Sequence, residues 1–522
     1  MRTEATSFVG PRPGLTLGYD AETGEELVLP DRLLTQHMAV VGSSGAGKTS
    51  FLLSLIYQQM RRGGAVIFMD GKRRYSGFAK VAWLAQACGR ASDLRVIDPQ
   101  DPTLSHAYNP LMARDAEREA GIIANKIHRL LPSVPEGHPA SYYSNLAYTA
   151  ILKMVRALHH LKRGFSYRDI LAIFETPDQA FRILKQDLYN DNASDSLIEV
   201  EKFVRKFKGT AQVSDLLSGL ISELGAISST PMGDFLCRPV SDVDFYQAIK
   251  KSQIIYAALP RLQETKKSEK LGKVILTDLQ SSIGAVYSEK DFRPLMPCLV
   301  VLDEFGSYAL PDFAVVFEQA REANVAVVAA FQLTSQLADR EKGLSTGFLE
   351  TVMGNTETKV FMRLKSLESA LWASEFFGQE LRWFAQVSAG ESRSDAEQVI
   401  SLSRYVNPRR TDSRTSSLTH RQMYDQRVRP EALLHELAVG EAMINWRGEP
   451  RRARVSWVEP EIEHGWDYAK VLPRFRRKEA QPLGLWQRIN QRIYRDLQEE
   501  MGKGSVGSPR ASQNSDLGDT PR

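Results

Sequence analysis

The stretch "VVGSSGAGKTS", residues 40–50, decides the fold of this chain. It fits the pattern G-x-x-x-x-G-K-[ST], in which glycines let backbone N–H groups turn inward around phosphate oxygens. The lysine of this pattern reaches the β- and γ-phosphates, and the hydroxyl of the next residue holds Mg²⁺. The sequence therefore predicts a P-loop that binds a nucleoside triphosphate through Gly42, Ser43, Ser44, Gly45, Ala46, Gly47, Lys48, Thr49 and Ser50.

The sequence on both sides of this loop supports the prediction. "HMAVV" before it predicts a short buried strand, and residues 49–62 after it predict a helix that ends at Gly63-Gly64. A strand, a glycine loop and a helix N-terminus form the arrangement that binds an anion. Further strands are predicted up to Asp70 and over residues 94–100, so the order indicates a βαβ unit and a mostly parallel sheet.

The rest of the chain divides by its hydrophobic pattern. Alternating segments before residue 36 predict a hairpin, and apolar residues three and four apart predict helices from residue 115 to 236. Strand patterns then return. The fold class predicted is α/β, a P-loop domain with a mostly parallel sheet and an inserted all-α domain. The predicted units are 1–114 (first part of the nucleotide-binding domain), 115–243 (the helical insert), 244–465 (second part of that domain) and 466–522 (a C-terminal helix and a disordered tail from about Gly502).

Composition sets wider bounds. The 522 residues are 43% hydrophobic and 25% charged with a net charge of +4, which is ordinary for a globular protein of two or more domains. A mild positive excess does not by itself indicate nucleic acid. The three cysteines lack metal-ligand spacing, so we expect packing roles in a reducing compartment. There is no signal-peptide pattern and no apolar run of the roughly 18 residues that span a bilayer, so a soluble chain is expected.

A P-loop needs a carboxylate on a neighbouring strand, and "CLVVLDEF" supplies one. Four apolar residues are followed by Asp303, which we predict near Mg²⁺, and by Glu304, which we predict to orient and polarise the attacking water. An acid placed for this second role favours ATP hydrolysis over nucleotide storage. The next predicted strand ends in Gln332, which can contact both the γ-phosphate and the attacking water.

Two arginines are candidates for a finger that completes the site of a neighbouring subunit. Arg321 is predicted on the helix before the strand that ends in Gln332, and Arg363 ends the segment "TKVFMRL". Two basic stretches could contact nucleic acid. In "KFVRKFKG", an amphipathic helix with Phe203 and Phe207 in the core is the favoured interpretation. Residues 404–422 are basic and predicted to be flexible, and most such charge runs are simply solvated.

The ordered set of motifs resembles the conjugative coupling-protein ATPases, the VirD4/TraG/TraD group of type IV secretion. The resemblance covers residues 15–455 and includes a helical insert at the place of the group's all-α domain. Two features differ: the chain does not start with transmembrane helices, and "MDGKRR" replaces a common acid-proline-lysine run, which leaves the role of Lys72 open. The matching segments are "HMAVVGSSGAGKTS", "VIFMDGK", "SHAYNPL", "IIYAALPRL", "VVLDEFG", "AREANVAVVAAFQLTSQL", "GNTETKVFMRL" and "LAVGEAMINWRG".

This resemblance implies that the P-loop domain is RecA-like. It further implies a hexameric ring motor that uses ATP and Mg²⁺ to pump DNA, more often single-stranded than duplex, through a secretion channel. It also implies a relaxase or relaxosome partner, a membrane-anchoring or channel protein, and a place in the cytoplasm or at the cytoplasmic face of the bacterial inner membrane. Carried over residue by residue, it implies phosphate and Mg²⁺ binding by Lys48 and Thr49, metal binding by Asp303, water activation by Glu304, γ-phosphate sensing by Gln332 and a finger at Arg321.

Two other functions remain open at the level of sequence. One is a duplex-DNA translocase of the FtsK/HerA kind, which the "VVLDEF" and "FQLTSQL" segments fit equally well, although the helical insert favours the coupling group. The other is a receptor that docks relaxosome or effector proteins and uses nucleotide as a conformational switch. Glu304 and Gln332 argue against a pure switch, because hydrolysis needs groups of their kind.

Overall fold

The computed structural model describes most of the chain: residues 13–72, 75–101, 104–112, 116–131, 139–161, 164–207, 211–259, 261–290, 292–392, 413–460, 462, 466 and 484–504. The strands are Leu15–Asp20 (β1), Glu26–Leu29 (β2), Met38–Val41 (β3), Val66–Asp70 (β4), Leu94–Ile97 (β5), Ile254–Ala258 (β6), Cys298–Leu302 (β7), Val325–Phe331 (β8), Thr358–Met362 (β9), Gln379–Ser392 (β10), Ser413–Gln426 (β11), Glu441–Trp446 (β12) and Glu449–Val455 (β13).

Helices alternate with these strands and fill the middle of the chain. The α-helices are Asp31–Leu34 (α1), Lys48–Arg61 (α2), Tyr75–Ala87 (α3), Ala116–His128 (α4), Ala140–His160 (α5), Tyr167–Glu175 (α6), Pro177–Asn190 (α7), Ser194–Phe207 (α8), Ala211–Ser228 (α9), Pro231–Leu236 (α10), Phe245–Lys250 (α11), Arg261–Ser288 (α12), Ala314–Gln319 (α13), Thr346–Gly354 (α14), Leu367–Phe377 (α15) and Leu485–Gly504 (α16). Among the described residues, no helix is long and apolar enough to cross a membrane.

An 11-stranded sheet organises the fold, with the order β2-β1-β13-β12-β9-β3-β8-β7-β4-β6-β5. From β9 to β5 all neighbours are parallel, and from β12 to β2 they are antiparallel. The parallel strands are buried along their whole length, since helices cover both faces. The predicted α/β class, a mostly parallel sheet flanked by helices, is confirmed.

Because the inner strands are parallel, their carboxyl ends meet at one edge of the sheet. The P-loop follows β3 at this edge, and the Asp303-Glu304 pair follows β7. Gln332 follows β8, and Lys72 lies two residues beyond the end of β4. Residues far apart in the sequence are therefore brought to one place, which is where open α/β sheets bind their ligands.

Helices α4–α10 lie between β5 and β6, in the part of the chain for which the apolar pattern predicts helices. Phe203 of α8 is buried and packs edge-on against Phe181, as the packing interpretation of that stretch expects. The side chain of Phe207 lies outside the described part. Helix α12 contacts the helical region through Asp278. The carboxylate of Asp278 accepts hydrogen bonds from Tyr108 (2.9 Å) and Lys126 (2.6 Å).

The C-terminal helix α16 packs on the helical region rather than on the sheet. Its Trp486 N–H donates to Asp169 Oδ1 (2.9 Å), and Arg488 forms a bidentate ion pair with Asp187. The sequence predicts a disordered tail from about residue 502, but the helix continues to residue 504. Residues 505–522 lie outside the described part of the chain.

One feature was missed by the sequence analysis. Strands β10 and β11 pair along 14 residues each and form a two-stranded sheet of their own. Residues 413–422, expected to be flexible, lie in β11, and residues 404–412 lie outside the described part. The pairing could not be read from the sequence because 20 residues separate the two strands, so the short turn signal of a hairpin is absent.

Candidate nucleotide-hydrolysing site

The P-loop has the backbone that its glycines predict. Gly45 and Gly47 have φ angles of 81° and 106°, in the left-handed region that side chains with a Cβ avoid. A Cβ at Gly42 would lie 2.9 Å from Met362 Cβ on the neighbouring β9. The loop therefore needs glycine at these positions for both conformation and packing. Gly47 caps α2, so the N-terminus of a 14-residue helix faces the loop, which favours an anion there.

Backbone hydrogen bonds attach the loop to the neighbouring strands. Gly42 N–H donates to Phe331 O (3.3 Å) at the end of β8, and Ser43 N–H donates to Arg363 O (2.9 Å) just after β9. The Ser43 hydroxyl donates to the same carbonyl at 2.9 Å. On the far side, Gly440 N–H donates to Ala46 O (3.1 Å). The loop is thus held on both sides by backbone hydrogen bonds to neighbouring segments.

Lys48 begins α2 and is almost fully buried. Its ammonium donates to the carbonyls of Gly42 (2.5 Å) and Ser43 (3.3 Å), so the charge lies inside the turn of the loop. Burial lowers the pKa of Lys48 to about 8. A phosphate at this position would raise the pKa of Lys48 again, because an opposite charge stabilises a buried cation. Thr49 and Ser50 follow in the first turn of the helix.

Asp303 follows β7 and is 0% exposed. Its Oδ1 accepts the N–H of Glu304 (3.0 Å), while Oδ2 has no hydrogen-bond partner among the described residues. Burial raises the pKa of Asp303 to about 6. A buried carboxylate oxygen without a donor is costly, and a divalent cation is a group that would satisfy it. Asp303, with the hydroxyl of Thr49, therefore fits the Mg²⁺ role predicted for it.

No group of three or more His, Cys, Asp or Glu side chains suited to a metal lies in the described part of the chain. Mg²⁺ does not require one. It is held by one or two carboxylates together with water and substrate phosphates, which supply the remaining oxygens of an octahedral site. The donor set at this edge of the sheet is of that kind.

Glu304 has an unusual backbone conformation, and its carboxylate contacts two side chains. Its φ is 54°, a left-handed conformation that is uncommon for this residue type and that clusters at functional sites. The carboxylate accepts two hydrogen bonds from Gln332 Nε2 (2.8 and 3.0 Å) and forms an ion pair with Lys72 Nζ (2.7 Å). Burial acts to raise the pKa of Glu304, but Lys72 and Gln332 together hold it below its usual value, so the side chain stays charged.

The end of β4 presses against this acidic pair. A Cβ at Gly71 would lie 2.6 Å from both Asp303 O and Glu304 Cβ. The carboxylate of Asp70 accepts the N–H of Lys72 (2.9 Å) and the hydroxyl of Tyr256 (2.9 Å). Lys72 is the functional side chain whose role the sequence left open. The available signal was its location just after a strand, at the same edge as Glu304.

The two candidate arginines lie at opposite edges of the sheet. Arg321 is exposed and lies in the turn between α13 and β8, two residues after the helix on which it was predicted. Seven residues of strand separate it from the P-loop edge, about 23 Å. The carbonyl of Arg363 holds Ser43 of its own chain. The structure therefore groups Lys48, Asp303, Glu304 and Gln332, places the backbone of Arg363 beside the P-loop, and keeps Arg321 apart from them.

Comparisons with known proteins bear on this site. The family model "TraM recognition site of TraD and TraG" matches residues 297–432, and the model "Helicase HerA, central domain" matches residues 26–217. The type 4 coupling protein DotL of Legionella pneumophila is 26% identical to this chain over an alignment of 500 residues. The alignment covers 86% of this chain. The chain spans 60% of the length of DotL.

Solved structures show the same fold. An unbound form of the bacterial conjugative coupling protein TrwB matches with a TM-score of 0.53 and 14% identity, over 88% of this chain and 90% of that one. TrwB in complex with ADP and Mg²⁺ matches with a TM-score of 0.51 and 14% identity, over 86% and 90%. The resemblance to the coupling-protein group is confirmed by the DotL match and by the TraD and TraG family model, and the TrwB structures show that the fold is shared.

Proposed function

We propose that this chain, whose relatives include type IV coupling proteins, is an ATP-driven motor that moves DNA for a type IV secretion system. The single observation that carries the proposal is the grouping of the buried P-loop lysine Lys48 with Asp303, Glu304 and Gln332 at one sheet edge. A nucleotide-storage site needs the first two residues. Glu304 and Gln332 serve hydrolysis, because Glu304 can polarise water and Gln332 can contact both water and γ-phosphate.

The ligands we propose are ATP and Mg²⁺. The TrwB structures that match this fold include complexes with a GTP analogue and with ADP and Mg²⁺, which supports a nucleotide with its metal at the P-loop. In this chain Lys48 would hold the β- and γ-phosphates, and Thr49 and Asp303 would hold the metal. The bound metal would neutralise charge that develops on the phosphates. Glu304 would orient the attacking water and Gln332 would contact the γ-phosphate.

We further propose a homohexameric ring in which Arg321 completes the site of the neighbouring subunit. Strand β8, about 23 Å long, lies between Arg321 and its own P-loop, which supports a role outside that site, and the exposure of Arg321 is compatible with contact to a neighbouring subunit. Arg363 lies beside its own P-loop, so we expect it to act within its own chain. A finger supplied by a neighbour would couple hydrolysis to assembly.

The partners we propose follow from the same relatives. DNA, single-stranded rather than duplex, would be the substrate. The match of residues 297–432 to a "TraM recognition site" supports docking of a relaxosome component, and a channel or membrane-anchoring protein would hold the motor at the cytoplasmic face of the inner membrane. Docking of such proteins is compatible with a motor, so a receptor role is part of this proposal rather than a separate one.

A second candidate is a translocase on duplex DNA. The HerA model matches residues 26–217, which include the P-loop and part of the helical region. The match to DotL covers 86% of this chain, well beyond those residues, and this favours the coupling role. The two candidates predict different DNA preferences, so one assay separates them.

The test is ATP hydrolysis by the purified protein without DNA, with single-stranded DNA and with duplex, while light scattering follows mass. The variants are Lys48→Ala, Glu304→Gln and the control Lys80→Ala, whose ammonium pairs with Glu459 outside the site. We expect turnover that needs Lys48 and Glu304, rises with single-stranded DNA and accompanies assembly toward six subunits. Stimulation by duplex alone would favour the HerA-like candidate. Nucleotide binding without any turnover would contradict the motor.

A further inference from the structure

Lys72 is the one basic side chain that the structure shows in direct contact with the carboxylate of Glu304. Among the described residues, that carboxylate has two polar side-chain partners, Lys72 and Gln332. Lys72 and Gln332 share Oε1, and Gln332 alone contacts Oε2. A carboxylate has about four lone-pair sites, so Oε2 retains capacity for a water molecule while Oε1 is held by two donors.

The support of Lys72 is itself rigid. Its N–H donates to Asp70 Oδ1, whose other oxygen is held by the hydroxyl of buried Tyr256. At Gly71 the backbone lies so close to Asp303 and Glu304 that a Cβ would not fit. The backbone from which the Lys72 side chain extends is therefore fixed with respect to the end of β7, within ion-pair distance of Glu304.

The charge around Lys72 explains why a lysine is needed. Its ammonium lies in the field of three carboxylates, those of Asp70, Asp303 and Glu304. Lys48 also interacts with the last two, but its ammonium is bonded to carbonyls inside the P-loop. Without Lys72, Glu304 would be repelled by Asp303 and could turn away from Gln332, because among the described residues Lys72 is the cation in ion-pair contact with its carboxylate.

We infer that Lys72 is a positioning residue that aims the Glu304 carboxylate toward Gln332 and leaves one oxygen for the attacking water. Lys72 acts through Glu304 and not on the nucleotide. This inference rests on the proposed hydrolysis, and it assigns a role to Lys72, which the sequence left open.

The test compares Lys72→Met, Lys72→Arg and the matched control Lys80→Met, each with and without Glu304→Gln. We expect Lys72→Met to lower kcat about 100-fold, because a displacement of the Glu304 carboxylate by about 1 Å has an effect of that size. KM and the Kd of a fluorescent ATP analogue should change less than threefold. Lys72→Arg should recover part of kcat. In the Glu304→Gln background, Lys72→Met should cause no further loss.

Two results would overturn the inference. A Kd that rises in Lys72→Met while kcat is unchanged would make Lys72 a phosphate ligand. Losses that multiply in the double variant would mean that Lys72 acts independently of Glu304. A chain without Lys48-dependent turnover would refute the proposed function instead. In that case the Tm values of the wild type, Lys72→Met, Glu304→Gln and the double variant still test the contact between Lys72 and Glu304. Tm changes that add in the double variant would contradict that contact.

Discussion

Gly71→Ala should damage the chemistry of the site more than its affinity for nucleotide. The added Cβ would lie 2.6 Å from Asp303 O and from Glu304 Cβ, and both must retreat by roughly 0.8 Å to reach ordinary contact. Asp303 O also accepts the hydroxyl of buried Tyr308 (3.0 Å), so the retreat cannot be confined to one atom. Overpacking of this kind costs about 1–3 kcal/mol of stability. A displacement near 1 Å in a catalytic group costs about 100-fold in rate.

The assay measures kcat and KM for ATP, with the free energy of unfolding in urea as a second readout. We expect kcat to fall about 100-fold, with a Kd for nucleotide close to that of the wild type because the P-loop is untouched. The control is Gly284→Ala in α12, where a Cβ meets nothing within 4 Å and where alanine should stabilise the helix by up to about 1 kcal/mol. A Gly71→Ala protein whose kcat is within twofold of wild type would refute the argument that close packing of β4 on β7 sets the geometry of Glu304.

Two further predictions concern the rest of the fold. Arg488→Ala should lower the free energy of unfolding by about 2 kcal/mol in a urea titration, because the nearly buried Asp187 carboxylate loses its bidentate partner; a change below about 0.5 kcal/mol would contradict this. Burial raises the pKa of Cys298 to about 12 and that of Cys237 to about 11, so both thiols stay protonated until the pH approaches those values. At pH 8 a disulfide reagent should therefore modify at most Cys88 in the native protein and all three thiols in urea; reaction of two or more native thiols would contradict the packing.

Much of the sheet could be predicted from local sequence. The inner parallel strands are short runs rich in Val, Ile and Ala between glycines or polar residues, and each was predicted within a few residues. A strand that is buried on both faces needs apolar side chains throughout, so its pattern does not depend on its neighbours. The ribbon of β10 and β11 differs in this respect, because its two strands contain many polar residues and are joined by a long connection.

The candidate site was predictable where a motif carries its own geometry. In the P-loop, the glycines, Lys48 and the N-terminus of α2 are adjacent in sequence, so the spacing alone fixes their arrangement. Asp303 and Glu304 could be inferred because an apolar strand ends immediately before them. Arg321 was placed on the wrong element by two residues, since a short helix that ends at residue 319 cannot be distinguished by pattern from one that continues.

Lys72 shows what a motif cannot supply. The contact between Lys72 and Glu304 exists because β4 and β7 are neighbours in the sheet, and that adjacency depends on the strand order β3-β8-β7-β4. The strand order is a property of the whole sheet, and no local pattern around residue 72 encodes it. Local sequence therefore identifies the groups that can bind phosphate or activate water, whereas the long-range order of the strands determines which cation faces which carboxylate. Gly71→Ala alters the packing between β4 and β7 without changing the P-loop, Asp303 or Glu304, so it measures directly how much of the rate depends on that packing.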